Sequence, residues 1–148
     1  MDTFGNNQRR KPRAGWMGLV LTTLAVIGCG STPLPGPETV PVKGRVLFTK
    51  NGSLKPLVDR QGAIEFESVD QPGVKAIGDI AEDGSFSLST LVKGGAKPGA
   101  VLGQHRARLF LDESAYPYVA PQFLRFDRSG IVVNVADQQS DVEIQIWR

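Results

Sequence analysis

Four groups of residues in this chain carry side chains that could do chemistry. Cys29 is the only cysteine and His105 the only histidine. A thiolate is a strong nucleophile, and an imidazole is the usual general base near neutral pH. Asp79, Glu82 and Asp83 bring three carboxylates together, the oxygen donors that hard cations take. Tyr116, Tyr118, Phe123 and Phe126 crowd into YPYVAPQFLRF, where exposed rings could stack on sugar or peptide.

Each group has a plainer use. Catalysis by His105 would need a nucleophile or second titratable group within hydrogen-bond reach. Instead it stands in GQHRARLFLD, where His105, Ala107, Leu109 and Leu111 share one face of a strand. A core or strand-end histidine with a backbone partner is the expectation. The acidic trio matches no EF-hand spacing, and acids suit exposed turns. No glycine-rich phosphate loop opens a helix, and no helix is expected after Pro41. We therefore expect no catalytic residue, no cofactor and no metal. Tyr116, Tyr118 and Phe123 remain as candidate ligand contacts. The alternative is a long crossover that packs its aromatics over an open sheet edge or end.

Charge narrows the partners. The chain has 148 residues and a net charge of +2, with 17 basic and 15 acidic residues. Arg9, Arg10, Lys11 and Arg13 stand against Asp2 in residues 1–28, so the remainder holds 13 basic and 14 acidic residues. The domain thus has no electrostatic case for nucleic acid. One cysteine excludes an intramolecular disulfide framework.

The basic block Arg9–Arg13 precedes an apolar run, Ala14–Gly28, of 15 residues. That is the order of an export signal, and it falls short of the about 20 residues needed to span a bilayer. A transmembrane helix is the weaker reading. Val26-Ile27-Gly28-Cys29 resembles the lipobox of bacterial lipoprotein signal peptides. The resemblance implies attachment of a diacylglyceryl group to the Cys29 sulfur through a thioether, and cleavage after Gly28. Residues 1–28 would then be a signal peptide, and the domain would meet a membrane through lipid on Cys29. Arg9-Arg10 is followed by Lys11-Pro12, which favours the general secretory route over twin-arginine export. Gly30 after Cys29 resembles the signal for release to the outer membrane. The expected location is therefore periplasmic or on the outer-membrane, cell-surface side.

Residues 29–41 hold prolines at 33, 35, 37 and 41. Proline removes backbone donors, so the segment reads as a polyproline spacer with a reach of roughly 35–40 Å. An ordered loop folded on the domain is the alternative. From Val42 the apolar period is two: VKGRVLF, AIEFES, VKAIGDIAEDGSFSLST, GQHRARLFLD, GIVVNVAD and SDVEIQIW. The third of these reads as two strands joined at Glu82-Asp83-Gly84. Such alternation marks strands with one buried face, and about seven of them separated by turns predict an all-β antiparallel sandwich over residues 42–148.

The order of the turns is more specific than the strands. VKGRVLF is followed by Asn51-Gly52, Lys55-Pro56-Leu57, GAIEFES, then GDIAEDGSFSL and GGAKPGAVLGQHRARL. This succession resembles the transthyretin-like (prealbumin-like), carboxypeptidase-regulatory-like domains of bacterial envelope lipoproteins, over about Val42 to Ile146. Extra residues at Val58–Gly62 and Ala100–Leu102 depart from the pattern, both in connections. The resemblance implies a non-catalytic structural or interaction module, whose partner would be an envelope protein or a glycan. The transthyretin-like hydrolases of purine catabolism carry several histidines and a C-terminal Tyr-Arg-Gly-Ser. This chain has one histidine and ends IQIWR.

Overall fold

The computed structural model describes residues 34–50, 52–137 and 141–148. The expected signal peptide and Cys29 lie outside the described residues. The strands are β1 (Lys43–Phe48), β2 (Ala63–Ser68), β3 (Lys75–Asp79), β4 (Ser85–Ser87), β5 (Ser89–Val92), β6 (Gly95–Pro98), β7 (Gly103–Phe110), β8 (Val132–Val135) and β9 (Asp141–Ile146). They form two sheets, ordered β4-β1-β9 and β6-β5-β3-β2-β7-β8. The all-β sandwich expected from the alternation is thus present. Among the described residues there are nine strands rather than about seven, and β1 pairs with β9 in parallel.

Alternation explains the packing. Val46, Phe86, Val142, Ile144 and Ile146 project from the smaller sheet, Val42 and Leu88 adjoin β1 and β4, and all are buried. Ile64, Phe66, Ala107, Leu109 and Val135 meet them from the larger one and are no more than 2% exposed. Each large side chain buried this way contributes about 1.5–3 kcal/mol, an upper figure because unfolded chains already bury some surface. The Phe66 and Phe86 rings span the two sheets at 6.2 Å.

Three local features depart from expectation. The segment read as a hairpin about Glu82-Asp83-Gly84 is a corner between sheets, since β3 belongs to the larger sheet and β4 to the smaller. Gly84 sits at φ +83°, and a β-carbon there would stand 2.4 Å from Val46 O. Leu88 then passes the chain back again. Its N–H donates to Val42 O at 3.0 Å, while its carbonyl accepts from Gly99 N at 2.7 Å. One residue so contributes its two backbone groups to different sheets.

GGAKPGA, read as a connection, supplies β6, which pairs with β5 from Ser89↔Pro98 to Val92↔Gly95. Finally, a short helix, α1 (Lys55–Val58), forms where none was expected. Pro56 suits its first turn, and Leu57 is fully buried.

The proline-rich segment also differs from a free spacer through Pro41. Lys97 Nζ donates to Pro37 O at 2.7 Å and Thr39 Oγ1 to Pro98 O at 2.8 Å. Val40 and Ala100 exchange backbone hydrogen bonds. Gly99, at φ +93°, permits this approach, because a β-carbon there would stand 2.0 Å from Val40 O. The contacts arise because proline leaves carbonyls without local partners, while β6 offers the Lys97 ammonium as a donor and the Pro98 carbonyl as an acceptor.

Candidate functional site

The crossover from β7 to β8 holds the candidate aromatic residues, and the fold separates them. It opens with a 3-10 turn, Glu113–Tyr118, started by Asp112, whose Oδ1 accepts from Ser114 N at 2.9 Å. Hydrogen bonds from Ser114 hold the Asp112 carboxyl below the usual carboxylate range. Ala115 is buried beneath the turn, which leaves Tyr116 and Tyr118 exposed at 42% and 38%. A second 3-10 turn, Pro121–Leu124, points Phe123 inward.

Phe123 corrects the sequence expectation. It is 1% exposed and meets Trp147 edge-on, with centroids 4.7 Å apart. A ring so placed cannot touch a ligand without opening the core. Phe126 has a third environment, with the Arg108 guanidinium 4.7 Å and the Lys75 ammonium 5.2 Å from its centroid. Both cations pair with Glu65, at 2.6 Å from Arg108 and 3.3 Å from Lys75. Glu65 is buried although alternation assigns it outward, because the crossover returns over that part of the sheet.

What remains exposed is a shelf formed by the turn that carries Tyr116 and Tyr118, with Arg60 over the second ring. The Arg60 guanidinium lies 5.3 Å from the Tyr118 centroid. Its Nε donates to Ser114 Oγ at 3.0 Å and its Nη1 to Pro56 O at 3.0 Å. Arg60 falls among the extra residues Val58–Gly62, and nothing in the sequence marks it. Its relation to Ser114 crosses 54 positions and exists only because α1 and the 3-10 turn share one end of the sandwich. The arrangement offers two exposed rings and a held cation over one of them, suited to stacking and to accepting oxygens.

His105 lies in the core. It is 1% exposed, its Nδ1 stands 3.1 Å from Gly103 O, and its ring is 6.0 Å from Phe66. Burial pushes the imidazole below its ordinary value. In the acidic turn, Asp83 is engaged locally: its Oδ1 accepts from Ser85 N at 2.9 Å and from Ser85 Oγ at 2.6 Å. Those bonds hold its carboxyl below the usual carboxylate range. Among the described residues no three His, Cys, Asp or Glu converge as a metal site.

A hollow of about 500 Å³ opens between the end of β1 and α1, beside Phe48, Leu54, Val58 and Glu82. Its ammonium, Lys55, is paired with Asp59 at 3.2 Å. Among the described residues no helix is long and apolar enough to cross a membrane. Neither a family model, nor a curated protein, nor a solved structure matches the chain.

Proposed function

We propose that this protein is a lipid-anchored component of a bacterial cell envelope, with a transthyretin-like sandwich serving as a non-catalytic structural or interaction module. The observation that carries the reading is the order of residues at the N-terminus. A basic block, an apolar run too short to span and Gly28-Cys29 lead directly into an all-β domain. The Cys29 thiolate displaces the headgroup phosphate of a phospholipid to form a thioether to diacylglycerol, and cleavage before Cys29 then frees its α-amine. At about 0.8 kcal/mol per buried methylene, one chain holds a protein only marginally, whereas two or three hold it stably.

The non-catalytic part of the reading is supported by His105, whose imidazole is 1% exposed, with its Nδ1 beside the Gly103 carbonyl. The transthyretin-like part is supported by the order of turns together with a two-sheet fold whose first and last strands are neighbours.

Detergent phase partition and the mass of the mature protein test the anchor, with wild type compared against Cys29→Ser. The wild type should enter the detergent phase with an acylated N-terminal Cys29, and the variant should stay aqueous. An unlipidated mass, or a mature N-terminus elsewhere, overturns the proposal. The exposed shelf favours one alternative, a carbohydrate- or peptidoglycan-binding module that uses Tyr116 and Tyr118. It predicts retention on wall glycan that Tyr118→Ala abolishes. Absence of retention by the wild type excludes it.

A further inference from the structure

We infer that the β5–β6 hairpin is a lipid-contacting wedge that seats the sandwich on the membrane and turns the Tyr116–Tyr118 shelf away from it. The inference rests on the proposed anchor at Cys29. It adds an orientation that the anchor alone does not supply.

Chain length is the first argument. Leu34 is the fifth residue after Cys29, and five extended residues span at most about 18 Å. From Leu34 onward the chain lies against the hairpin. A β-carbon on Gly95 would meet Leu34 Cδ1 at 3.3 Å, and one on Gly36 would meet Val92 Cγ1 at 2.8 Å. The bonds to Lys97, Pro98 and Ala100 continue the attachment toward β1. A spacer of the length read from the prolines would leave the domain free to tumble. The short leash leaves from the hairpin and brings it to the bilayer surface.

The chemistry of that end is the second argument. Leu91 is 57% exposed and pairs with Ala96 on one face of the hairpin. Leu34 is 37% exposed and lies by Gly95 on the other. Lys93 and Gly94 form the exposed tip between them, and Lys97 stands behind. Apolar side chains on both faces with the Lys93 ammonium at the tip fit the boundary between headgroups and acyl chains. Leucines enter there while Lys93 reaches back to phosphates, Lys97 being held by Pro37 O. Glu38 and Asp137 lie farther along, around a hollow shared with Lys97 and Leu102.

Register then places the shelf. Thr90 is level with Ala76, Phe66 and Ala107. The hairpin tip therefore lies at the Gly103 end of β7. Tyr116 and Tyr118 follow the Phe110 end, across the length of the sheet. A partner binding at the shelf would approach from the aqueous side.

The test uses the full chain, processed in cells and reconstituted in vesicles of phosphatidylethanolamine and phosphatidylglycerol. An environment-sensitive dye is attached at Lys93→Cys or, as the distal control, at Glu113→Cys. Acylated Cys29 does not react with the dye, so labelling of the parent protein reports failure of the anchor and not of the wedge. With the anchor intact, quenching by aqueous iodide should be at least about two-fold weaker at position 93 than at 113, as for an interfacial site. The double variant Leu34→Glu/Leu91→Glu changes only exposed side chains and should bring the two positions to the same quenching. Equal quenching at 93 and 113 in the otherwise unaltered, vesicle-bound protein overturns the inference.

Discussion

Replacing Phe123 with alanine separates a core residue from a ligand contact. The ring is 1% exposed, and its edge-on partner Trp147 is 4.7 Å away between centroids. Phe→Ala at such a site costs about 3–5 kcal/mol, combining lost transfer energy with the cavity left behind. The aromatic pair accounts for about 1 kcal/mol of this. Collapse into the space is limited because Ala120 N donates to Trp147 O at 2.8 Å and pins the crossover. The upper half of the range is therefore expected.

Tyr118, 38% exposed with one guanidinium over its ring, should cost about 1 kcal/mol or less on truncation. Urea unfolding followed by far-ultraviolet circular dichroism measures both. With an m-value of about 2 kcal/mol/M, the Phe123→Ala midpoint should fall by roughly 2 M. A loss below about 1 kcal/mol for Phe123→Ala, or an equal loss for Tyr118→Ala, would refute the assignment of the two rings.

Two further outcomes follow from the same packing. Burial lowers the folded-state affinity of His105 for a proton below the ordinary value of 6.5. The unfolded chain then binds more protons as pH falls below 6.5, so the stability contributed by neutral His105 is present above that pH and declines below it. His105→Leu should show a flatter stability profile just below pH 6.5, and identical slopes in the two proteins would count against the buried neutral ring. Gly84→Ala places a β-carbon 2.4 Å from Val46 O at φ +83°, whereas Gly94→Ala at φ +90° meets nothing within 4 Å. Both variants bear left-handed strain of about 1–2 kcal/mol. Only the first should add a collision, so thermal denaturation should rank Gly84→Ala clearly below Gly94→Ala, and equal melting temperatures would contradict the corner geometry.

The strand faces were legible because alternation is a local property. Val42, Val46, Phe86, Leu88, Leu109 and Ile144 read as inward from their neighbours alone, and all are buried. Sheet membership was not legible. SFSLST reads as one continuous strand, yet Leu88 divides it between two sheets through a hydrogen bond from Gly99, eleven residues downstream. GGAKPGA lacks the β-branched residues that mark strands. It becomes β6 because β5 presents an unpaired edge beside it.

The candidate site divides in the same way. A run of aromatics between prolines announces that YPYVAPQFLRF is unusual, but it does not say which rings face water. Phe123 turns inward because the second 3-10 turn aims it at Trp147, and Phe126 lies on two cations held by Glu65. Arg60, which completes the shelf, comes from a segment that reads as an insertion. Its role depends on an end-to-end contact that no spacing in the chain encodes.

The sequence by itself determined the alternating strands, the all-β class and the N-terminal order from basic block to apolar run to Cys29. Each of these depends on residues close together in the chain. Tertiary structure alone decided the split of β4 from β5, the parallel pairing of β1 with β9, the fate of each aromatic ring and the binding of the proline-rich segment to β6. Those outcomes depend on which unpaired backbone edges and apolar faces meet after the chain has closed on itself, and such meetings are set by distant partners rather than by neighbours.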